Sequence, residues 1–205
     1  VPVATREPSA DIAANGNSSN VRTHMPRHSI RIAGLAWLAL CLPTFSSAQM
    51  QSWKDVQVAD IETMKGKFVG LAEAFNESQY DYRPMEGVRS VRDVLALAVV
   101  EAHIFPTAWG SAPPAGAATG FGPENQRVGG FAKAAMIREL NSAFDHLISV
   151  VRGMDEAKRN ESSTYFGRQM PVHANIATAM ADLHEHLGQL IAYARANSVV
   201  PPWSR

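Results

Sequence analysis

The stretch Asp182-Leu183-His184-Glu185-His186-Leu187-Gly188-Gln189-Leu190-Ile191-Ala192-Tyr193-Ala194-Arg195 decides the fold. Ile176, Met180, Leu183, Leu187, Leu190 and Ala194 recur at alternating steps of four and three, the rhythm of one apolar stripe on an α-helix. Asp182, His186, Gln189 and Tyr193 keep that rhythm one residue out of phase. They therefore form a polar stripe about 100° around the same helix. Polar groups beside a core stripe are half-buried, where their rotamers can be fixed. An acid and a histidine at i and i+4 can also point at one metal ion. His184 lies about 200° from His186 around a regular helix and reads as a surface residue.

Working outward, three more helical periods precede this one. The first runs from Trp53 to Phe75, with Val58, Ile61, Met64, Phe68, Leu71 and Phe75 on one stripe. The second opens at Ser90, an N-cap with Asp93 three residues later, and buries Val91, Val94, Leu95, Ala98, Ala102 and Phe105. The third spans Phe131 to Val151, with Ile137, Leu140, Phe144, Leu147 and Val151 inward, and stops at Gly153. The last helix begins at Pro171, suited to a first helical turn, and ends near Asn197. Strand signals are scarce. Gly110 to Gly130 is rich in Gly, Pro and Ala and reads as a loop. The expectation is an all-α four-helix bundle with a long crossover loop between helices two and three.

These blocks resemble the DinB-like four-helix-bundle family, in its metal-dependent branch. The residues that carry the resemblance are His186-Leu187-Gly188-Gln189 (the family's His-x-Gly-Gln), Leu190 to Arg195, and the tail Val199-Val200-Pro201-Pro202-Trp203-Ser204. Tyr80-Asp81-Tyr82-Arg83-Pro84 and Gly87-Val88-Arg89-Ser90-Val91 resemble the family's link from first to second helix, and Tyr165-Phe166-Gly167-Arg168 its lead-in to the last. The resemblance implies the same bundle and a divalent metal held by three side chains. Its ligand positions are Leu97, Asp182 and His186 in this sequence. Asp182 stands where histidine is commoner, and Leu97 cannot bind metal.

Glu101 lies one turn after Leu97 on the same face and can reach the same cavity. It reads as a third ligand or the general base, with a structural partnership to an Arg or Tyr as the alternative. A Glu101, Asp182 and His186 set suits Zn²⁺, Ni²⁺, Mn²⁺ or Fe²⁺. For Asp182 and His186 the alternative is a buried hydrogen-bonded network without metal. His103 sits about 240° from Leu97 around its helix and needs a different geometry. His146 and His173 stand alone in the sequence and read as structural or exposed. Gln189 reads as a bridge between helices, and Gly188 as a site of close helix packing.

The domain, residues 49–205, is preceded by two segments. Met25, Arg27, His28 and Arg31 lead into the apolar run Ile32 to Leu42, and Ser46-Ser47-Ala48 follows. That is the layout of a secretory signal peptide over residues 25–48, with cleavage expected after Ala48. Residues 1–24 are polar and pattern-free, and Met25 is the expected start. The only cysteine, Cys41, lies inside the leader. The mature chain then has no thiol, which excludes a disulfide framework, a cysteine nucleophile and zinc-cysteine sites. Its expected place is the periplasm or the outside, with no stable membrane span after cleavage.

Charge is balanced at 19 basic and 19 acidic residues with no basic block, so nucleic acid is not an expected partner. The spacing lacks the paired Glu-x-x-His of a di-iron bundle and the Gly-x-Ser-x-Gly of a serine hydrolase. The leading expectation is a metal-dependent hydrolase acting on a small molecule. Thiol-dependent transfer, or a non-enzymatic ligand-binding or stress bundle without metal, are the alternatives. The resemblance also implies pairing of bundles into a homodimer.

Overall fold

The computed structural model describes residues 52–204. Five α-helices run in chain order as α1 (Trp53–Ala74), α2 (Val91–Ile104), α3 (Phe121–Val128), α4 (Lys133–Gly153) and α5 (Val172–Ala196). A hairpin of β1 (Ser162–Tyr165) and β2 (Arg168–Pro171) precedes α5. The extension at 1–24, the leader at 25–48 and the cleavage after Ala48 lie outside the described residues.

Ser90 starts the helix around which the rest is built. Its hydroxyl accepts from the Asp93 N–H at 3.1 Å, and the Asp93 carboxylate accepts from the Ser90 N–H at 2.8 Å. Such a reciprocal cap contributes about 1 kcal/mol. Beyond it, Val94 to His103 are buried without a break. A helix apolar all round is one surrounded on every side. α4 and α5 flank α2, and α3 covers it as well. α1 also packs between α4 and α5, so α1 and α2 face each other across the bundle. The bundle is thus the expected four long helices, with α2 deepest.

The crossover between α2 and α4 is present, but it is not all loop. It holds the 3-10 turn Phe105–Trp109 and the short helix α3. Phe105 therefore lies just beyond α2 rather than on it, though still buried. Glu124 of α3 is the anchor. It accepts from His103 Nδ1 at 2.7 Å, from the Ala118 N–H at 2.7 Å and from Arg127 Nε at 2.8 Å. Arg127 also pairs with Glu139 of α4. One side chain thereby ties α2, the crossover and α4 together.

One helix face and two boundaries differ from expectation. The inward stripe of α4 runs through Met136, Leu140, Ala143 and Leu147, and Ile137 is only half-buried. Gly153 ends α4 within the helix, and Met154 caps it in extended backbone. Pro171 closes β2 and caps α5 rather than opening its first turn. The hairpin is the larger departure. β1 and β2 pair with Tyr165 opposite Arg168, leaving the two-residue turn Phe166-Gly167 with φ of 44° and 78°. Positive φ at both positions is the pattern of a type I′ turn, which favours Asn-Gly. A polar chain holds the hairpin down: Trp109 Nε1 donates to Asn175 Oδ1 at 3.1 Å, Asn175 Nδ2 to Ser163 Oγ at 2.9 Å, and Ser163 Oγ to the Met170 carbonyl at 3.1 Å.

Candidate functional site

Glu101 leaves α2 toward α5 and is 2% exposed, a carboxyl group with almost no water. Burying an ionised carboxylate is costly unless charge or hydrogen bonds compensate. One oxygen, Oε1, lies 2.9 Å from His186 Nε2 on α5. The other, Oε2, is buried with no partner. Asp182, one turn before His186, brings Oδ1 to 3.9 Å from His186 Nε2. Ligand atoms of Glu101, Asp182 and His186 all lie within 4.8 Å of one another. The three residues singled out in the sequence therefore converge, and as a set they can hold one metal ion. A cation beside the orphaned Oε2 would remove the cost of an unpaired buried acceptor.

The proton balance of the pair follows from burial. Burial pushes the Glu101 carboxyl up, and the hydrogen bond and charge of His186 only partly offset it. Burial pushes the His186 imidazole down, but the hydrogen bond and charge of Glu101 outweigh it and leave it raised. Both groups favour their protonated forms, so the pair keeps a proton across a bond of 2.9 Å.

Tyr165, in β1, completes the site. Its hydroxyl donates to Asp182 Oδ2 at 2.9 Å, fixing the carboxylate that its neighbour His186 approaches from the other oxygen. Burial and then Asp182 push the phenol well above its ordinary range, so it stays a donor. The sequence showed Tyr165 only as part of the lead-in to the last helix. Nothing in a local pattern signals that a hairpin folds it back onto α5.

Other expectations sort clearly. Leu97 is buried, one turn before Glu101. His184 is exposed and pairs with Asp60 at 2.9 Å. His173 sits against the Arg159 carbonyl at 2.9 Å. His146 does not stand alone: its ring meets that of His103 edge-on at 6.1 Å. Gln189 donates to the Tyr193 hydroxyl on its own helix at 2.7 Å, and Tyr193 carries the link to the Arg89 carbonyl at 3.0 Å. Gly188 is exposed, and a Cβ there meets nothing within 4 Å, so close packing is not its role. A second group, His103, Glu124 and Glu139, also brings ligand-type atoms together. Arg127 pairs with both of its acids and already supplies the positive charge.

Among the described residues, no helix is long and apolar enough to cross a membrane. A family model described as the DinB superfamily matches residues 60–190. No curated protein matches the sequence. Among solved structures, a DinB-like protein from Bacillus subtilis superposes with a TM-score of 0.57 at 17% identity, over 73% of this chain and 97% of its own. A DinB-like protein from Bacillus cereus gives 0.60 at 11% identity, over 72% and 95%. At such identities the likeness speaks to the fold.

Proposed function

Because the chain belongs to the DinB superfamily, we propose that Glu101, Asp182 and His186 hold one divalent metal ion in a site that hydrolyses a small molecule. The observation that carries this reading is the orphaned Oε2 of Glu101, buried beside a histidine and a second carboxylate. Two oxygen donors and one nitrogen suit Mn²⁺ and Fe²⁺ as well as Zn²⁺ and Ni²⁺. A bound ion supplies a Lewis acid and acidifies a water beside it. The chain's own residues do the rest. Tyr165 orients Asp182. Glu101 serves as the third ligand or, where the ion is held by Asp182 and His186 alone, as the general base beside it. Export by the leader at 25–48 would remove the chain from cytoplasmic small thiols, which places hydrolysis above thiol-dependent transfer. A ligand-binding bundle without metal is the second reading, supported by the apolar, buried Leu97 on the same face of α2.

The test is metal content. The full chain, expressed with its leader and purified untagged without chelators, is compared with His186→Ala by elemental mass spectrometry. About one ion per chain is expected in the first and none in the second, with proton release on binding because the shared proton must leave. No metal in either, after exposure to Zn²⁺, Ni²⁺ and Mn²⁺, overturns the reading.

A further inference from the structure

Phe166 breaks two rules at once. It holds φ of 44°, a left-handed backbone that bulky residues avoid, and the residue is 71% exposed. A type I′ turn asks for asparagine or glycine at this position. Most of the residue nonetheless faces solvent. The aromatic side chains of Phe105 and Phe121 stand behind it, with centroids at 6.5 and 6.4 Å, and Tyr165 lies edge-on at 4.7 Å. The ring is thus propped outward rather than tucked in. A local outlier held in place by its surroundings points to use.

Phe166 lines a cleft of about 240 Å³ together with Tyr165, Thr178, Ala181, Asp182 and Glu185. Asp182 is the same carboxylate that Tyr165 holds in the Glu101-His186 group. Asp182 thus belongs to both the wall of the cleft and the candidate metal group. It is smaller than a drug-sized pocket, which starts at about 300 Å³, so it takes one ring rather than a polycycle. Two carboxylates at its edge disfavour an anionic occupant. We propose that this cleft binds the uncharged aryl group of the substrate, with Phe166 as the residue that selects it. The proposal rests on the metal-centre reading, since Asp182 is what joins the cleft to the chemistry.

The probes are benzohydroxamate and acetohydroxamate, titrated calorimetrically into the Zn²⁺-loaded full chain. About tenfold tighter binding of the aryl compound is expected, of the size that burying one apolar group gives. Phe166→Asn supplies the residue the turn prefers, so the melting temperature holds or rises. In that variant the preference falls to about threefold or less, with acetohydroxamate affinity unchanged. A preference equal in both proteins overturns the proposal, as does self-association of the wild type through Phe166. A metal-free arm separates the two readings. Fluorine NMR of fluorobenzene with the full chain should show broadening that Phe166→Asn abolishes. Broadening without any Zn²⁺ binding leaves the aryl cleft standing and removes the metal centre. No broadening with the wild type removes the cleft.

Discussion

Tyr165 joins a hairpin to a carboxylate, and a single hydroxyl proton makes the link. Groups that orient a metal ligand from outside are worth about 10–100-fold in affinity. Tyr165→Phe keeps the ring and its contact with Phe105, and removes only the donor. It should weaken Zn²⁺ binding by about that factor, read by competition with a chromogenic chelator, while the melting temperature barely moves. Unchanged affinity would mean that Asp182 needs no help to find its rotamer. Glu101 shows the opposite economy. Its position has no local motif, yet it is legible from the sequence because the periodicity of α2 puts it one turn beyond Leu97. Burial then gives it the properties of a site residue.

Gly188 lies inside α5 with open space where a side chain would be. Glycine in a helix interior costs roughly 0.5–1 kcal/mol relative to alanine. Gly188→Ala should raise the melting temperature by about 2–4 °C in thermal scans; a lower value would show that the glycine is required where it stands. α1, α4 and α5 are legible in the sequence because each buries one continuous stripe, and that stripe leaves a period; α2, buried all round, is legible from its apolar run and its cap. The cap at Ser90 is legible because its two partners are three residues apart. α3 is not legible. It contains Gly122 and Pro123, and what holds it is Glu124 reaching His103 on another helix. The hairpin is missed for a related reason: Phe166 stands where the turn signal would be asparagine. In the candidate site, the members on α2 and α5 follow from helical spacing, whereas Tyr165 depends on a chain reversal that no spacing records.

Across the whole molecule, α2 carries two polar groups into the interior on nearly opposite sides, since Glu101 and His103 are about 200° apart. Burial pushes the Glu124 carboxyl up, yet hydrogen bonds from Arg127, His103 and the Ala118 N–H hold it down at about 2. A lowered folded value contributes stability above the ordinary 4.5 and loses it as pH falls toward about 2. Glu101 and His186 are raised, so their contribution is full below the ordinary 4.5 and 6.5 and is lost as pH rises through their folded values. The metal-free protein should therefore be most stable near roughly pH 5. In melting scans across pH, Glu124→Gln should flatten the acid limb and Glu101→Gln the alkaline limb. A stability that climbs steadily to alkaline pH would contradict both assignments. The separation of the site's halves along the chain has its own consequence. Glu101 and His186 are 85 positions apart, and His186 is in the last helix. A chain made or translocated from its N-terminus presents Glu101 long before it presents His186. The complete grip on an ion closes only when the final helix emerges, so under the proposed export the ion is chosen by the compartment of arrival and not by the one of synthesis.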